Sequence, residues 1–337
     1  MDLRQLEYFL AVVDHGGMNR AAEALHVAQP SLSQSVRRLE RELGSPLFHR
    51  VGRGLVLAPA GEALLGPARR TLREAEAARE AVHTVGAGRG GTIDVATLAD
   101  VSTDPLSIWV ARFRARTPGV RFRIEEHDDA SVVAELVRSG ACELGFLNAP
   151  LAADLAGSAV VDQTFVLVTP PGTEEHWPDP TPLAALRDVP LVMSGKGTST
   201  REWIEQNLRA AGVEPRVVIE VPQRGAVIPM VLAGAGAALV SLRAAIDARH
   251  RGGVVRDVAP GLTRSIGVVR REEPLTPAAQ GFLDHVDRAV DTWRAGMAVQ
   301  RAKGLTTVEA AARVTQEADR RLRTLNRADS QVRPANP

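Results

Sequence analysis

Pro30 stands just ahead of Leu32, Val36, Leu39 and Leu43, which are spaced +4, +3 and +4. Proline is accepted in a helix's first turn and breaks its interior, so this pattern fixes both where a helix starts and which face it buries. The opposite face carries Ser33, Gln34, Arg37 and Arg41, with Gln29 and Ser31 at its start and Arg38 beside them. Two shorter helical patterns precede it. Asp2 with Gln5 is a capping signature for a helix whose apolar face is Leu3, Leu6, Leu10 and Val13, and Gly16-Gly17 stops that helix. Asn19 is expected to cap a second helix with Ala22 and Leu25 on its inner face. From Gly44 to Pro59, turn residues separate short apolar pairs, which suits a hairpin. Two short helices joined by a tight turn, the second presenting Ser, Gln and Arg, make a helix-turn-helix, here with a wing.

The whole chain of 337 residues has a formal net charge of only +1, so a polyanionic partner has to be read from local charge. Between Met18 and Ala58, six arginines (20, 37, 38, 41, 50 and 53) face three acids (23, 40 and 42). Glutamine can pair bidentately with adenine, arginine can pair with guanine or phosphate, and the Pro30 ring can meet a thymine methyl. Arg50 and Arg53 fall in the hairpin, where a wing reaches the DNA backbone or minor groove. The competing reading is a small helical bundle with a solvated arginine face. Only Lys196 and Lys303 are lysine, so arginine counts are discounted for a general compositional bias.

Residues 59–86 change character. Leu64, Ala68, Thr71, Ala75, Ala78, Val82 and Val85 alternate +4 and +3, a heptad seam of mostly small residues suited to pairing two helices. Pro67 is expected to kink or loosen the first turns. The alternative is one amphipathic helix packed on its own domain. Gly86 to Gly91 reads as a hinge. From Thr92, strand patterns (93–97, 120–124, 143–147, 164–168, 191–193, 217–221, 237–241 and 265–270) alternate with helical ones such as 105–116 and 131–138. That predicts a mostly parallel sheet covered on both faces and divided into two small α/β lobes. From Arg301 to Pro337, eight basic residues accompany four acids. Thr306-x-x-Glu309 is a capping box, and Val308, Ala311, Ala318, Leu322 and Leu325 line one face of a final helix.

Other classes of function find little support. No apolar run has the length of a membrane span, and the capped N-terminal pattern is unlike a signal peptide, so a cytoplasmic protein is expected. The single cysteine, Cys142, excludes an internal disulfide and any CxxC site. SGKGTS around Lys196 lacks the first glycine of a phosphate loop, and GAGAAL at Gly234 precedes a strand where a dinucleotide site would follow one. Ser194 lacks the glycine of a nucleophile elbow, and the eight histidines form no HExxH. His127 with Asp128 and Asp129 reads as a solvated acidic loop. No catalytic residue, metal site or cofactor is assigned. The two-lobed domain alone would also suit an enzyme or a small-molecule-binding protein, and a solute-binding transport protein would need export.

Residues 1 to about 296 resemble a LysR-type transcriptional regulator. The segment LRQLEYFLAVVDHGGMNRAAEALHVAQPSLSQSVRRLERELGSPLFHRVGRGLVLAPAG carries the family's AA-x-x-L-x-V-x-QP-x-LS block, the RLE after it and LG-x-x-LF-x-R. The resemblance implies a winged helix-turn-helix over 1–58, a linker and dimerisation helix with hinge over 59–91, and a two-lobed effector domain like periplasmic binding proteins over 92–300. The extension 301–337 lies outside the usual pattern. By the resemblance, Gln29, Pro30, Ser33 and Gln34 contact bases, and Arg50 and Arg53 lie on the wing. It also implies homodimers or homotetramers on an interrupted dyad of double-stranded DNA near a promoter, with RNA polymerase as a partner if the protein activates. An effector would sit between the lobes against strand ends and helix N-termini. The expected cleft residues are Asp100, Ser102 and Thr103, Asn148, Ser194, Lys196, Thr198 and Ser199, and Gln223 and Arg224. By the resemblance Asp100, or Ser102 if the register slips by two, stands where many family members have a small hydroxyl residue that helps hold an effector carboxylate. Either Asp100 is a cleft acid that favours an amine, or it is a solvated loop acid or cap. With Lys196 and Arg224 opposite, the cleft is expected to favour a small polar, zwitterionic metabolite over an aromatic acid.

Overall fold

The computed structural model describes residues 1–51, 54–83 and 90–332. Its N-terminal unit packs three helices, Leu3–Asp14, Met18–Ala24 and Gln29–Leu43, against a two-stranded wing, Phe48–Val51 with Gly54–Leu57. The capping box at Asp2 and Gln5 forms as the sequence predicts. Leu32, Val36 and Leu39 are buried against Tyr8, Phe9, Val12 and Ala21. At about 1.5–3 kcal/mol for each large aliphatic side chain removed from water, that face clamps the third helix in one rotation about its axis. Three details differ from expectation. Leu43 and Leu25 are exposed, because the helices end there and no element covers them. Gly17, not Asn19, precedes the second helix, which lacks a side-chain cap. Ser33 is half-buried, so it leans toward the helix's flank.

Helix Pro59–His83 runs through Pro67 without interruption. It starts hard against the wing, and a Cβ on Gly61 would lie 2.2 Å from the Leu47 carbonyl oxygen. The start of the heptad seam is used within the chain: Ala68 is buried and Leu64 packs beside it, both against the first helix and Leu47. Thr71 and Ala78 remain exposed. Val85 and most of the expected glycine hinge lie outside the described residues, and Gly91 already belongs to the first strand of the next domain.

That domain is built on a seven-stranded sheet in which Ala238–Ser241, Ala156–Thr169, Leu262–Arg270, Leu144–Asn148, Gly91–Leu98 and Val120–His127 are successive neighbours. Val254–Arg256 also pairs with Ala156–Thr169. The pairing is mixed, which corrects the mostly parallel expectation. Gly91–Leu98 is parallel to both its neighbours, but the long strands Ala156–Thr169 and Leu262–Arg270 are antiparallel to each other from Ala156↔Arg270 to Phe165↔Leu262. This ribbon carries the chain between two lobes. Around one end lies a core of Ile93, Leu98, Trp109, Phe146 and Phe282. At the other end, strands Pro190–Ser194 and Arg216–Val221 pair in parallel, with cores around Val192, Val221 and Ile246 and around Leu191, Ile204 and Leu208. Helix Pro277–Ala302 spans both: Phe282, Val286 and Val290 enter the first lobe's core, and Trp293 and Met297 lie against the second. Helix Thr307–Val332 then folds back. Its predicted capping box is made by Thr306 and Glu309, and Val308 and Ala311 are buried against the second lobe.

Candidate functional site

Two regions gather the residues singled out in the sequence. On the third helix, Gln29, Pro30, Ser31, Gln34, Arg37 and Arg38 are all exposed, on the side opposite Leu32, Val36 and Leu39. Arg38 is not a free cation, since its Nε donates to Glu42 one turn on at 3.0 Å. Glu42 also accepts from the N-terminal ammonium group, and these two partners hold its carboxyl down at about 2. The wing is aimed by a residue that pattern reading passed over. Glu40 Oε1 accepts the backbone N–H of Leu47 at 2.9 Å and of Phe48 at 3.3 Å, which pins the wing's first strand to the helix. Its only sequence signal is its place in the RLE motif. Arg50 is exposed on that strand. Arg53 lies outside the described residues.

The second region lies between the lobes, and its chemistry is concentrated around Asp100. Asp100 follows the first strand, and its side chain is 11% exposed. It forms ion pairs with Arg224 of the second lobe (3.2 Å) and with Arg264 on the connecting ribbon. It is therefore neither a solvated loop acid nor a helix cap. Neither of its oxygens has a hydrogen bond of good geometry, although both face guanidinium nitrogens. Arg264 is almost wholly buried. It donates twice to Gln163 Oε1 (2.9 and 2.7 Å), and its guanidinium lies over the rings of Phe165 (4.9 Å) and Trp203 (5.6 Å). Burial pulls its pKa down to about 9, which leaves it charged at neutral pH. Thr200 Oγ1 accepts from both Arg224 (3.3 Å) and Arg264 (3.4 Å).

Further bonds close the lobes on each other. Arg224 Nη2 donates to Asp128 Oδ1 at 2.7 Å, and the Ser199 N–H donates to the Asp128 carbonyl at 3.3 Å. At the hinge, Gln163 Nε2 donates to the Asp104 carbonyl at 2.7 Å. Burial raises the pKa of the Asp104 carboxyl, against bonds from Ser241 and the Arg243 backbone. A void of about 1930 Å³ lies elsewhere, between the linker helix and the first lobe, lined by Arg73, Ala75, Asp94, Arg123 and Cys142 among others.

The other expected cleft residues divide. Asn148 Oδ1 and Ser199 Oγ are buried without a hydrogen-bond partner. Ser194 and Thr198 contact each other at 3.1 Å, and Thr198 caps helix Ser199–Ala210. Ser102 donates to Glu126, and Thr103 donates to the Ala99 carbonyl. Lys196 and Gln223 are exposed, and the cations beside Asp100 are Arg224 and Arg264. Asp128, expected only as part of a solvated acidic loop, pairs with Arg224, and Arg264, Gln163, Thr200 and Trp203 carry no signal in the sequence. Their strand and helix patterns mark them only as positions on elements that several folds would share.

Comparison with known proteins gives a consistent picture. Residues 3–62 match the family model described as bacterial regulatory helix-turn-helix protein, lysR family, and residues 86–291 match the LysR substrate binding domain. The HTH-type transcriptional regulator IlvR of Caulobacter vibrioides is 32% identical over 296 residues, covering 84% of this chain and 96% of its own length. The RuBisCO operon transcriptional regulator of Allochromatium vinosum is 31% identical over 294 residues, covering 85% and 95%. Among solved structures, full-length CbnR in complex with its target DNA aligns with a TM-score of 0.50 at 26% identity, covering 86% of this chain and 100% of that one. A full-length OxyR variant from Pseudomonas aeruginosa aligns at 0.64 with 22% identity, covering 86% and 94%, and speaks for the fold alone.

Proposed function

Because this chain belongs to the LysR-type transcriptional regulators, DNA-binding proteins with an effector domain, we propose that it reads an interrupted dyad near a promoter and changes its grip when a small metabolite enters the cleft between its lobes. The observation that carries the DNA half is the third helix. Its inner face is buried and its outer face leaves Gln29, Pro30, Ser31, Gln34 and Arg37 exposed for base edges and phosphates. Ser33 reads from the helix's flank, Arg38 reaches phosphate once it leaves Glu42, and Arg50 and Arg53 serve the wing. Two copies are needed to place two such helices on two half-sites, so the working form is a homodimer or a pair of dimers. The site of action is the cytoplasm, and RNA polymerase is the further partner if the protein activates.

In the effector half, Asp100, Asn148, Ser199 and Arg224 line the cleft, with Arg264 and Thr200 added by the fold. Ser102, Thr103, Ser194 and Thr198 shape its rim, and Lys196 and Gln223 stand at its mouth. Opposite charges are balanced there, two guanidinium groups against Asp100 and Asp128. A ligand of one sign would leave a charge poorly compensated as the lobes close, whereas a small polar zwitterion keeps the balance. No chemical step on the ligand is assigned. Regulation follows if the ligand binds one lobe arrangement better than the other. Footprinting on DNA upstream of the protein's own gene, with and without a panel of amino acids and simple carboxylates, tests this. Two protected half-sites whose spacing shifts with a panel member support the reading. Protection indifferent to every panel member would remove the small-metabolite half, and no protection would remove both.

A further inference from the structure

The cleft's strongest anion-binding group is already occupied by the chain itself. Arg264 is buried, held flat over Phe165 and Trp203 and fixed by Gln163, and its Nη2, which also donates to Gln163, faces Asp100. Arg224 approaches the same carboxylate from the second lobe. Two guanidinium groups converging on one carboxylate, with a hydroxyl from Thr200 between them, form the arrangement that would bind a free carboxylate ligand. Here the carboxylate arrives on a main-chain tether at the end of the first strand. A free monocarboxylate entering this seat would have to expel Asp100, leaving it desolvated beside the newcomer.

We propose that Asp100 is a tethered carboxylate filling the anion seat of Arg264 and Arg224, and that it sets ligand specificity by excluding simple carboxylates from the cleft. This rests on the effector-cleft reading only for its consequence, since the seat itself is a property of the protein alone. The effector is then a molecule whose recognition does not depend on a lone carboxylate at this point. Asn148 Oδ1 at the end of a first-lobe strand and Ser199 Oγ at the start of a second-lobe helix, both buried and unpartnered, are polar atoms open to it. Opening the seat by shortening Asp100 creates a vacancy of the size and charge of acetate.

The test is chemical rescue of full-length Asp100→Ser. Its thermal unfolding is followed in acetate and in chloride at matched ionic strength, beside the parent protein. The variant's Tm is expected to rise by about 3–5 °C in 100 mM acetate relative to chloride, and the parent's to stay unchanged. The double variant Asp100→Ser with Arg264→Gln is expected to lose the rescue. Should Asp100→Ser aggregate in chloride, it is refolded in each salt, and soluble protein recovered only from acetate carries the same meaning. Equal behaviour of variant and parent in acetate, or rescue that survives the loss of Arg264, overturns the proposal. None of these readings involves DNA, so failure of the footprinting experiment leaves the seat standing, and failure of rescue leaves the regulator reading standing.

Discussion

Gln34 and Arg264 mark the two extremes of what single residues disclose. Gln34 points outward because a helix with Leu32, Val36 and Leu39 inward leaves it no other direction, so periodicity suffices to place it. Arg264 acquires its role from Asp100, Gln163 and Trp203, three partners far apart in the chain, and no local spacing announces such a meeting. His285 is a third kind of case, a polar residue with a structural role and a measurable signature. It is buried among Phe113, Phe282 and neighbouring helix residues, with its Nδ1 3.4 Å from Arg116. Burial first, then the charges of Arg116, Arg288 and Arg112, hold its pKa down at about 4. A folded-state value below the unfolded one means that the folded protein takes up fewer protons, so stability falls as pH drops from about 6.5 toward 4. Between pH 7 and pH 5 that loss is expected to be about 2 kcal/mol. Denaturant titrations at both pH values measure it, and His285→Gln is expected to remove it. The same pH loss in parent and variant would show that His285 carries none of it.

At the scale of elements, the pattern of helices and strands was readable because amphipathic periods, caps and glycine stops are local. All eight expected strands form, as do the two capping boxes. What local signals could not give was pairing direction. The ribbon of Ala156–Thr169 and Leu262–Arg270 is antiparallel because the chain must cross between lobes and return, a constraint that acts across a hundred residues. The linker helix shows a subtler limit. Its seam of small residues suits either a second helix or the chain's own domain, and the helix turns Ala68 and Leu64 to its own first helix and keeps Thr71 and Ala78 outward. Among the described residues, Thr71 and Ala78 form an exposed row that a second copy could pack against. Ala78→Glu puts like charges in a close helix contact and is expected to raise the dimer dissociation constant at least about 10-fold. Sedimentation velocity across a dilution series checks this, and an unchanged oligomer would mean that copies meet elsewhere.

For the whole molecule, the helix-turn-helix and the lobes answer to separate physics, and the chain joins them. Arg69 bridges the linker helix to Asp14, Arg73 donates to the Gly140 carbonyl, and Arg70 pairs with Glu273, so the linker is anchored to both ends. A change in the lobes thus has a mechanical route to the spacing of two recognition helices. The C-terminal hairpin adds to the effector end, since Val308 and Ala311 sit in the second lobe's core beyond the part of the chain that the LysR family models match. The claim on which everything else depends is that the outer face of the third helix reads sequence. It is tested by fluorescence anisotropy of a duplex bearing the footprinted dyad against a scrambled duplex of equal length, at fixed salt. The dyad is expected to bind at least about 10³-fold tighter. Gln34→Ala is expected to cost about 1–3 kcal/mol on the dyad and little on the scramble. Equal affinity for the two duplexes, or an equal loss on both for Gln34→Ala, would contradict the account.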